Sequence, residues 1–377
     1  MTELRVALIG GGFMGKAHSL AWALTPISDQ LGANVIKQVL VDVNEEVASR
    51  QAADLGWAES ATDWREVVGR DDIDIIDICT PPQFHADIAI AAADAGKHVF
   101  VEKPITNSAE EAIRMAELVG RTGVVAQVGF NYRHAPAVEH TKQLLDSGEL
   151  GEPMMFRASF LSQGWSGNPS GPQPWRALKA TGGSGTVGDI GSHIIDSAEY
   201  LFGDIVRVAA RARAGDREDG WWPETRRIEE DLIDRAAVWV AEFANGTIGT
   251  FAVNGLAAGR KNDMSWQLDA TKGAVEFVWN DREEFRIAYV DEKPTHHGFR
   301  TVLTSNAFPD GVWPLAGLGI GYADVTAIQF KKFVQRILGE DRITPTLEDA
   351  THVQQVVEAV YAAAASERWV DVPARIA

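Results

Sequence analysis

Residues 4–24 read LRVALIGGGFMGKAHSLAWAL, and this stretch decides the fold of the first part of the chain. Residues 4–10 form an apolar run that predicts a strand, and residues 13–24 have the apolar period of a helix. Between them, Gly10, Gly12 and Gly15 form a G-x-G-x-x-G pattern. The first glycine allows a tight turn, the second lets the backbone approach a pyrophosphate, and the third permits close helix–strand packing. The stretch therefore predicts a strand–turn–helix unit that binds a dinucleotide at the helix N-terminus.

The same alternation continues along the chain. Further strands are predicted at residues 35–42, 73–80, 98–103 and 124–130, with helices between them, as at residues 85–95. Strands that alternate with helices of this length predict a parallel, doubly wound sheet covered on both faces. Residues 1–131 are therefore predicted to be an α/β Rossmann domain.

Asp42 ends the second predicted strand and bears on the choice of cofactor. A carboxylate there can accept hydrogen bonds from the ribose hydroxyls and would repel a 2′-phosphate. The next residues, Val43 and Asn44, supply no positive charge. NAD is therefore predicted rather than NADP; the alternative role for Asp42 is to cap the helix that follows.

The pattern changes after residue 150. A passage rich in Gly, Ser, Pro and Trp (residues 162–188) precedes a predicted helix at 190–201 and long β-like runs. The dipeptide Asn245-Gly246 lies between two such runs, as in a hairpin. Two helices, at residues 324–338 and 347–366, come near the end of the chain. Residues 132–377 are therefore predicted to form an α+β domain with an antiparallel sheet.

Composition excludes several classes of protein. Acidic residues outnumber basic ones 53 to 35, giving a formal charge of −18, which argues against nucleic acid or an anionic membrane as partner. The single cysteine, Cys79, allows no intrachain disulfide and no zinc cluster of cysteines. No apolar run is long enough to span a membrane and no secretory signal is visible, so a cytoplasmic location is expected. The 12 Trp are unusual, and most of them follow residue 150.

Three further motifs follow in order: residues 80–85 (TPPQFH), 102–104 (EKP) and 188–193 (GDIGSH). Together with GGGFMGKAH they resemble the Gfo/Idh/MocA oxidoreductases. The passages FNYRHAPAV, LSQGWS, PWR, GFRTV and VWPLAGLGIGY resemble the branch that includes levoglucosan and inositol dehydrogenases. The resemblance implies that the second domain has a large open, mostly antiparallel sheet. It also implies a homo-oligomer, dimer or tetramer, assembled through the exposed face of that sheet.

Asp189 and His193 are four residues apart, so on a helix they share one face. A neutral imidazole can remove a hydroxyl proton near pH 7, and a carboxylate can orient it. The alternative is a capping Asp that merely satisfies a helical His. The resemblance implies that these two residues are catalytic, and that Lys103 stabilises negative charge on the reacting oxygen.

The resemblance also implies two sets of binding residues, and Gln, Arg and Trp side chains suit sugar hydroxyls and ring faces. For each Trp, packing in the core is the alternative. The cofactor set is Gly10, Gly12, Phe13, Met14, Asp42, Thr80, Pro81, His85, Glu102, Lys103, Asn131 and Arg176. The substrate set is Lys103, Tyr132, Arg133, Gln163, Trp165, Trp175, Arg176, Asp189, His193 and Tyr322.

No metal site is predicted. His296, His297 and Arg300 form a small basic group, but adjacent His side chains point apart and no carboxylate pair has ligand spacing. The group is interpreted as part of a loop near the cleft or as an oligomer contact.

The main functional hypothesis is NAD-dependent oxidation of a ring hydroxyl of a sugar, an anhydrosugar or a cyclitol, and the resemblance to the levoglucosan branch implies C3 as the reacting carbon. The alternative is an NAD-dependent glycosidase that oxidises C3 transiently, eliminates the aglycone and reduces the product again. Arg176, Lys179, Arg260 and Lys261 could then bind an anionic glycoside. A dinucleotide-sensing regulator is disfavoured, because a sensor needs no Lys103, Asp189 and His193.

Overall fold

The computed structural model of the chain describes residues 2–25, 31–163, 184–214, 233–342 and 344–376. These residues form two compact units. The first unit comprises Met1–His134 and Ile320–Thr351, and the second comprises Ala135–Gly319 and His352–Ala377. The division predicted at residues 131 and 132 stays a prediction; the first unit additionally takes in a segment from near the end of the chain.

The helices follow the predicted apolar periods closely, and α1 and α9 have the predicted bounds. They are α1 (Phe13–Leu24), α2 (Glu45–Leu55), α3 (Trp64–Val68), α4 (His85–Asp94), α5 (Ala109–Gly120), α6 (Pro136–Asp146), α7 (Ser192–Phe202), α8 (Tyr322–Ile337) and α9 (Leu347–Ser366). No helix within the described ranges is long and apolar enough to cross a membrane.

The first unit is built on a six-stranded sheet. Its strands are β1 (Thr2–Ile9), β2 (Ala33–Val41), β3 (Glu59–Ala61), β4 (Ile75–Ile78), β5 (His98–Val101) and β6 (Ala126–Val128). They lie in the order β3-β2-β1-β4-β5-β6, and every pairing is parallel. This order confirms the doubly wound Rossmann sheet, whose strand order reverses between β1 and β4.

Helix α8 belongs to the first unit because its apolar face packs against α1. The Phe330 ring stacks on the Trp22 indole with centroids 3.9 Å apart, and Phe333 and Val334 lie in the same core. Large aromatic rings of this kind dominate the energy of a core. The packing therefore explains why a late segment of the sequence joins the first unit.

The second unit contains a mixed, mostly antiparallel sheet. Its strands are β7 (Pro153–Leu161), β8 (Ile205–Ala214), β9 (Asp234–Phe243), β10 (Ile248–Asn254), β11 (Asp263–Ala270), β12 (Gly273–Val278), β13 (Glu284–Tyr289), β14 (Arg300–Leu303) and β15 (Val370–Asp371). Their order is β14-β13-β12-β11-β7-β10-β9-β8-β15. Antiparallel pairing of β9 with β10 confirms the hairpin at Asn245-Gly246. The parallel pair is β7 with β10, which are far apart in the sequence and therefore need a crossover connection.

Candidate active site

The glycine-rich turn between β1 and α1 shows why glycine is needed at two positions. Gly10 has a φ of +109°, and a Cβ there would lie 2.7 Å from the carbonyl oxygen of Cys79. A Cβ on Gly15 would lie 2.1 Å from the carbonyl oxygen of Gly10, so α1 can approach β1 only without a side chain. Around Gly12, by contrast, no heavy atom of the described chain lies within 4 Å of an ideal Cβ. The turn is therefore tight and closely packed at Gly10 and Gly15, and it has open space at Gly12, as a dinucleotide-binding loop requires.

The Asp42 carboxylate accepts hydrogen bonds from backbone amides of this turn and of the segment that follows β2. Its Oδ2 accepts a hydrogen bond from the Gly11 amide at 2.9 Å, and its Oδ1 accepts one from the Asn44 amide at 3.0 Å. The cap of α2 is Asn44, whose side-chain oxygen accepts from the Val47 amide at 3.1 Å. The alternative role of Asp42 as helix cap is therefore wrong, because Asn44 takes that position.

Thr80 follows β4 and lies against Gly10. Its Oγ1 is buried and has no hydrogen-bond partner among the residues that the structure describes. An orphaned buried hydroxyl is costly unless a ligand satisfies it. Together with the open backbone at Gly12 and the amides of the α1 N-terminus, it fits the ribose and phosphate groups of a dinucleotide.

His85 opens α4, one turn beyond Pro81, and is buried. Its Nε2 faces the carbonyl oxygen of Thr80 at 2.8 Å, and its Nδ1 faces that of Ile105 at 3.1 Å. Burial lowers the pKa of His85, so the neutral ring donates to one of these two carbonyls at a time. The geometry supports an indirect contribution, in which His85 holds the turn that carries Thr80; its place in the cofactor set stays a prediction.

Four residues of the predicted sets, taken from three parts of the sequence, meet in the first unit. The Tyr322 hydroxyl donates to the Met14 Sδ at 3.8 Å, and the Tyr322 and Tyr132 rings meet edge to face with centroids 6.4 Å apart. Asn131 Nδ2 donates to the Thr326 hydroxyl at 3.0 Å on α8. Burial, together with nearby Tyr132, raises the pKa of Tyr322 well above its usual value, so its phenol is neutral.

Phe13 and Arg133 are two further residues of the predicted binding sets, and their side chains differ in exposure to solvent. Phe13, at the first position of α1, is 74% exposed. Arg133 is buried, and its Nη1 lies 3.4 Å from Oδ2 of Asp349 on α9. Their roles as cofactor and substrate ligands stay predictions.

Glu102 and Lys103 lie directly after β5. The Glu102 Oε2 accepts a hydrogen bond from the Lys103 amide at 3.1 Å, and the Lys103–Pro104 peptide bond is cis. The Glu102 Oε1 faces Nε2 of His18 at 3.0 Å, and the other ring nitrogen of His18 faces Asp77 at 2.9 Å. Sequence reasoning missed His18 and Asp77. The available signal was a charged residue inside an apolar strand (IDIIDICT) and a His on the first helix.

In the second unit, Asp189 and His193 lie on a π-helical turn and on the first turn of α7. The predicted single α-helix over residues 190–201 is therefore corrected: Val187–Gly191 is π-helical, and the α-helix begins at Ser192. His193 is buried, with its ring 6.0 Å from that of Phe160 on β7. Turns of π-helix are frequent at functional sites because they re-aim side chains.

A buried carboxylate, which sequence reasoning also missed, holds this π-helical turn. Asp234 Oδ2 accepts from the Val187 amide at 3.1 Å, and its Oδ1 accepts from the Tyr361 hydroxyl at 2.6 Å. The Tyr361 oxygen in turn accepts from the Gly185 amide at 3.0 Å. Burial raises the pKa of Asp234 to about 6.

Gln163 is half-buried and follows β7 by two residues. Its side-chain oxygen accepts from the Gly259 amide at 2.8 Å, so at least this oxygen holds the loop at residues 255–262. Arg260 in that loop pairs with the Asp263 carboxylate. Trp165, Trp175, Arg176 and Lys179 lie outside the described residues.

The basic group at His296, His297 and Arg300 is exposed. His297 Nε2 lies 2.6 Å from the carbonyl oxygen of Glu292, whose carboxylate pairs with Arg300. These contacts fix the local loop, and its role near the cleft or at an oligomer contact stays a prediction.

Comparison with protein families matches both halves of the chain. Residues 4–130 match the model described as oxidoreductase family, NAD-binding Rossmann fold, and residues 138–276 match the GFO/IDH/MocA C-terminal domain. The Rossmann match and the fit of the turn to a dinucleotide agree that NAD is the cofactor.

Among curated proteins, the levoglucosan dehydrogenase of Pseudarthrobacter phenanthrenivorans is 37% identical and covers 99% of both chains. The scyllo-inositol 2-dehydrogenase (NAD(+)) of Bacillus subtilis is 34% identical over 56% of this chain and 58% of its own length. A solved structure of levoglucosan dehydrogenase in complex with NADH and levoglucosan has a TM-score of 0.92 at 37% identity, covering 99% of this chain and 100% of its own.

Proposed function

This chain belongs to the GFO/IDH/MocA oxidoreductase family, and we propose that it oxidises a secondary ring hydroxyl of a carbohydrate to a ketone. The substrate class is a sugar, an anhydrosugar such as levoglucosan, or a cyclitol, and the reacting carbon is C3. The observation that carries the proposal is the similarity to levoglucosan dehydrogenase over 99% of the chain. Lys103, Asp189 and His193 all stand in motifs of the resemblance.

The proposed roles follow from the chemistry of the side chains. His193 takes the hydroxyl proton as the C–H bond of the same carbon breaks, and Asp189 favours the resulting imidazolium. Lys103 donates a hydrogen bond to the reacting oxygen and stabilises its developing negative charge. NAD, when bound, accepts the hydride. Asp42, Thr80 and the amides beside Gly12 are the groups proposed to hold it.

The proposal is tested with a panel of levoglucosan, inositol isomers and simple sugars, following NADH at 340 nm. We expect turnover with a member of the panel, and a loss of about 10²- to 10⁴-fold in kcat/KM for Lys103→Ala or His193→Ala. Lys97→Ala is the matched control, because Lys97 Nζ donates to the carbonyl oxygen of Arg70 and has no role in the proposed reaction. No NADH with any compound would contradict the proposal. Release of the aglycone from an aryl glycoside added to the panel, without NADH, would point instead to the glycosidase alternative.

The carbon is identified with deuterated substrate. Levoglucosan carrying deuterium at C3 should give deuterated NADH and a primary isotope effect. Deuterium retained at C3 of the ketone product would show that another carbon is oxidised.

We further infer that the chain acts as a cytoplasmic homo-oligomer, dimer or tetramer. The support for assembly is the resemblance together with apolar side chains exposed on the sheet of the second unit, where Val238 is 56% and Val240 is 40% exposed.

A further inference from the structure

A buried charged cluster lies below the end of β5, where Lys103 follows. Its centre is His18 on α1, and its carboxylates are Asp77 on β4 and Glu102 just after β5. We propose that His18 is a positioning residue for Lys103: as an imidazolium it bridges Asp77 and Glu102, and Glu102 fixes the Lys103 backbone. This inference rests on the proposed function, in which Lys103 stabilises charge on the reacting oxygen.

The geometry is that of a doubly donating ring. Nδ1 lies 2.9 Å from Oδ1 and 3.0 Å from Oδ2 of Asp77, and Nε2 lies 3.0 Å from Oε1 of Glu102. A carboxylate can only accept, so both nitrogens must carry protons for both contacts to be hydrogen bonds. The Phe100 and Phe330 rings meet the imidazole edge to face, with centroids 5.5 and 5.1 Å away, and hold its plane.

The charges explain why the ring is protonated. Two buried carboxylates would repel each other, and burying a charge without an opposite partner is costly. Burial by itself lowers the pKa of His18, but the Asp77 carboxylate and the hydrogen bond of the ring to the Cys79 sulfur raise it, and the balance leaves it well above its usual value. Burial also raises the pKa of the Cys79 thiol, which lies 3.1 Å from His18 Nδ1, so the sulfur stays neutral.

The remaining acceptors of the two carboxylates are also used. Trp22 Nε1 donates to Oδ2 of Asp77 at 2.7 Å, and the Lys103 amide donates to Oε2 of Glu102 at 3.1 Å. Gly129 leaves room for this arrangement, since a Cβ there would lie 2.4 Å from Oε1 of Glu102. Glu102 is therefore held by His18 through one oxygen and holds Lys103 through the other.

Loss of the imidazolium would leave Glu102 buried without its cation. The carboxylate would then turn away from its buried position, which disturbs its bond to the Lys103 amide. The expected consequence is a misplaced Lys103 ammonium with an intact nucleotide turn, so catalysis suffers more than cofactor binding.

The test compares His18→Gln with His98→Gln. His98 is the matched control because it begins the same strand, β5, and its Nδ1 accepts from the Val125 amide at 3.0 Å. For His18→Gln we expect kcat to fall about 10- to 100-fold while the Kd for NADH changes less than about threefold. Glu102→Gln should lower kcat to a similar extent, and the two changes combined should be less than additive. For His98→Gln we expect kcat within about twofold of the parent chain.

Two measurements do not depend on activity, and they separate failure of this inference from failure of the proposed function. Nitrogen-15 NMR of the unmutated protein should show His18 doubly protonated at neutral pH, where an ordinary imidazole is mostly neutral. Competitive acetylation read by mass spectrometry should show a changed pH profile of Lys103 reactivity in His18→Gln but not in His98→Gln. A neutral His18, a bound metal ion on His18, Asp77 and Cys79, or unchanged Lys103 reactivity would each overturn the inference. Absence of any sugar oxidation by the unmutated protein would instead overturn the proposed function.

Discussion

At the scale of single residues, Asp42 combines two tasks that a sequence motif cannot separate. Its carboxylate accepts from the Gly11 and Asn44 amides, which fixes the glycine-rich turn. We propose that its charge also opposes a 2′-phosphate on the adenosine ribose. A substitution that keeps the shape and removes the charge distinguishes these tasks.

We therefore expect Asp42→Asn to lower the ratio of kcat/KM with NAD to kcat/KM with NADP by about tenfold. The amide oxygen of Asn can still accept a hydrogen bond from the Gly11 amide, but the repulsion of the 2′-phosphate is lost. The measurement is kcat/KM for each cofactor with one sugar substrate. Asp63→Asn is the control, since Asp63 also accepts a backbone amide, that of Arg65, after a strand of the same sheet. An unchanged ratio in Asp42→Asn would mean that the charge of Asp42 does not select the cofactor.

The roles of some site residues could be predicted from the sequence, and those of others could not. Gly10 and Gly15 could be predicted with their reasons, because a positive φ and a close backbone approach leave a local signature. His18 and Asp77 could not, since their pairing depends on where α1 crosses β4. For a buried ion pair the sequence shows only an unexplained charge in an apolar strand.

At the scale of elements, the π-helical turn Val187–Gly191 carries Asp189, and Asp234 and Tyr361 hold it from β9 and α9. The α-helical spacing of Asp189 and His193 predicted a helix correctly, but not the wider turn. A π-helical turn depends on the buried groups that accept its amides, and those groups lie far away in the sequence.

Tyr361→Phe should lower kcat and leave the affinity for NADH unchanged, because it removes the acceptor of the Gly185 amide and the donor to Asp234. Loss of these buried hydrogen bonds should lower the free energy of unfolding by about 1–3 kcal/mol. Steady-state kinetics and urea unfolding measure the two effects.

Tyr200→Phe is the control for that prediction. The Tyr200 hydroxyl donates to the buried Glu139 at 2.9 Å, further along α7 from His193. It should cost similar stability with little change in kcat. Equal losses of kcat in both variants would show that the effect on catalysis is merely structural.

The raised pKa of Asp234 predicts that the free energy of unfolding depends on pH. Its pKa is about 6 in the folded state, above the ordinary 3.8, so the folded protein holds this proton more tightly than the unfolded chain. Its contribution to the free energy of unfolding is therefore greatest below about pH 4 and falls as the pH rises through 6. The total fall is about 3 kcal/mol.

Asp234→Asn removes this titration. The variant should gain stability relative to the unmutated protein as the pH rises from about 4 to about 6, with little further gain above pH 7. Urea unfolding at a series of pH values measures the difference, in which the other carboxylates cancel. Parallel stability curves for the two proteins would contradict the assignment.

At the scale of the whole molecule, the sequence predicted two folded parts but not the return of α8 to the first. The hydrophobic pattern of α8 predicts a buried face without saying which core receives it. The stacking of Phe330 on Trp22 joins residues at opposite ends of the chain, and such pairing has no local signature. The unusual number of Trp residues is explained in part by packing. Five of the 12 are buried in the core: Trp22, Trp57, Trp239, Trp266 and Trp279.

The last prediction concerns assembly through the sheet of the second unit. Its exposed face contains a groove of about 990 Å³ lined by residues of β7 to β12, including Val238 and Val240. The lining is mixed, with apolar side chains beside charged ones such as Arg157 and Glu276. Exposed apolar side chains on a sheet face are typical of an interface between subunits, so we expect a dimer or tetramer at micromolar concentration in light scattering after gel filtration. Val238→Asp combined with Val240→Asp should lower the mass, because two carboxylates would be desolvated in each copy of a symmetric interface. Val290→Asp should not, since Val290 is more exposed, at 65%, and lies outside the groove. A monomeric unmutated protein, or a double variant of unchanged mass, would exclude this face as the interface.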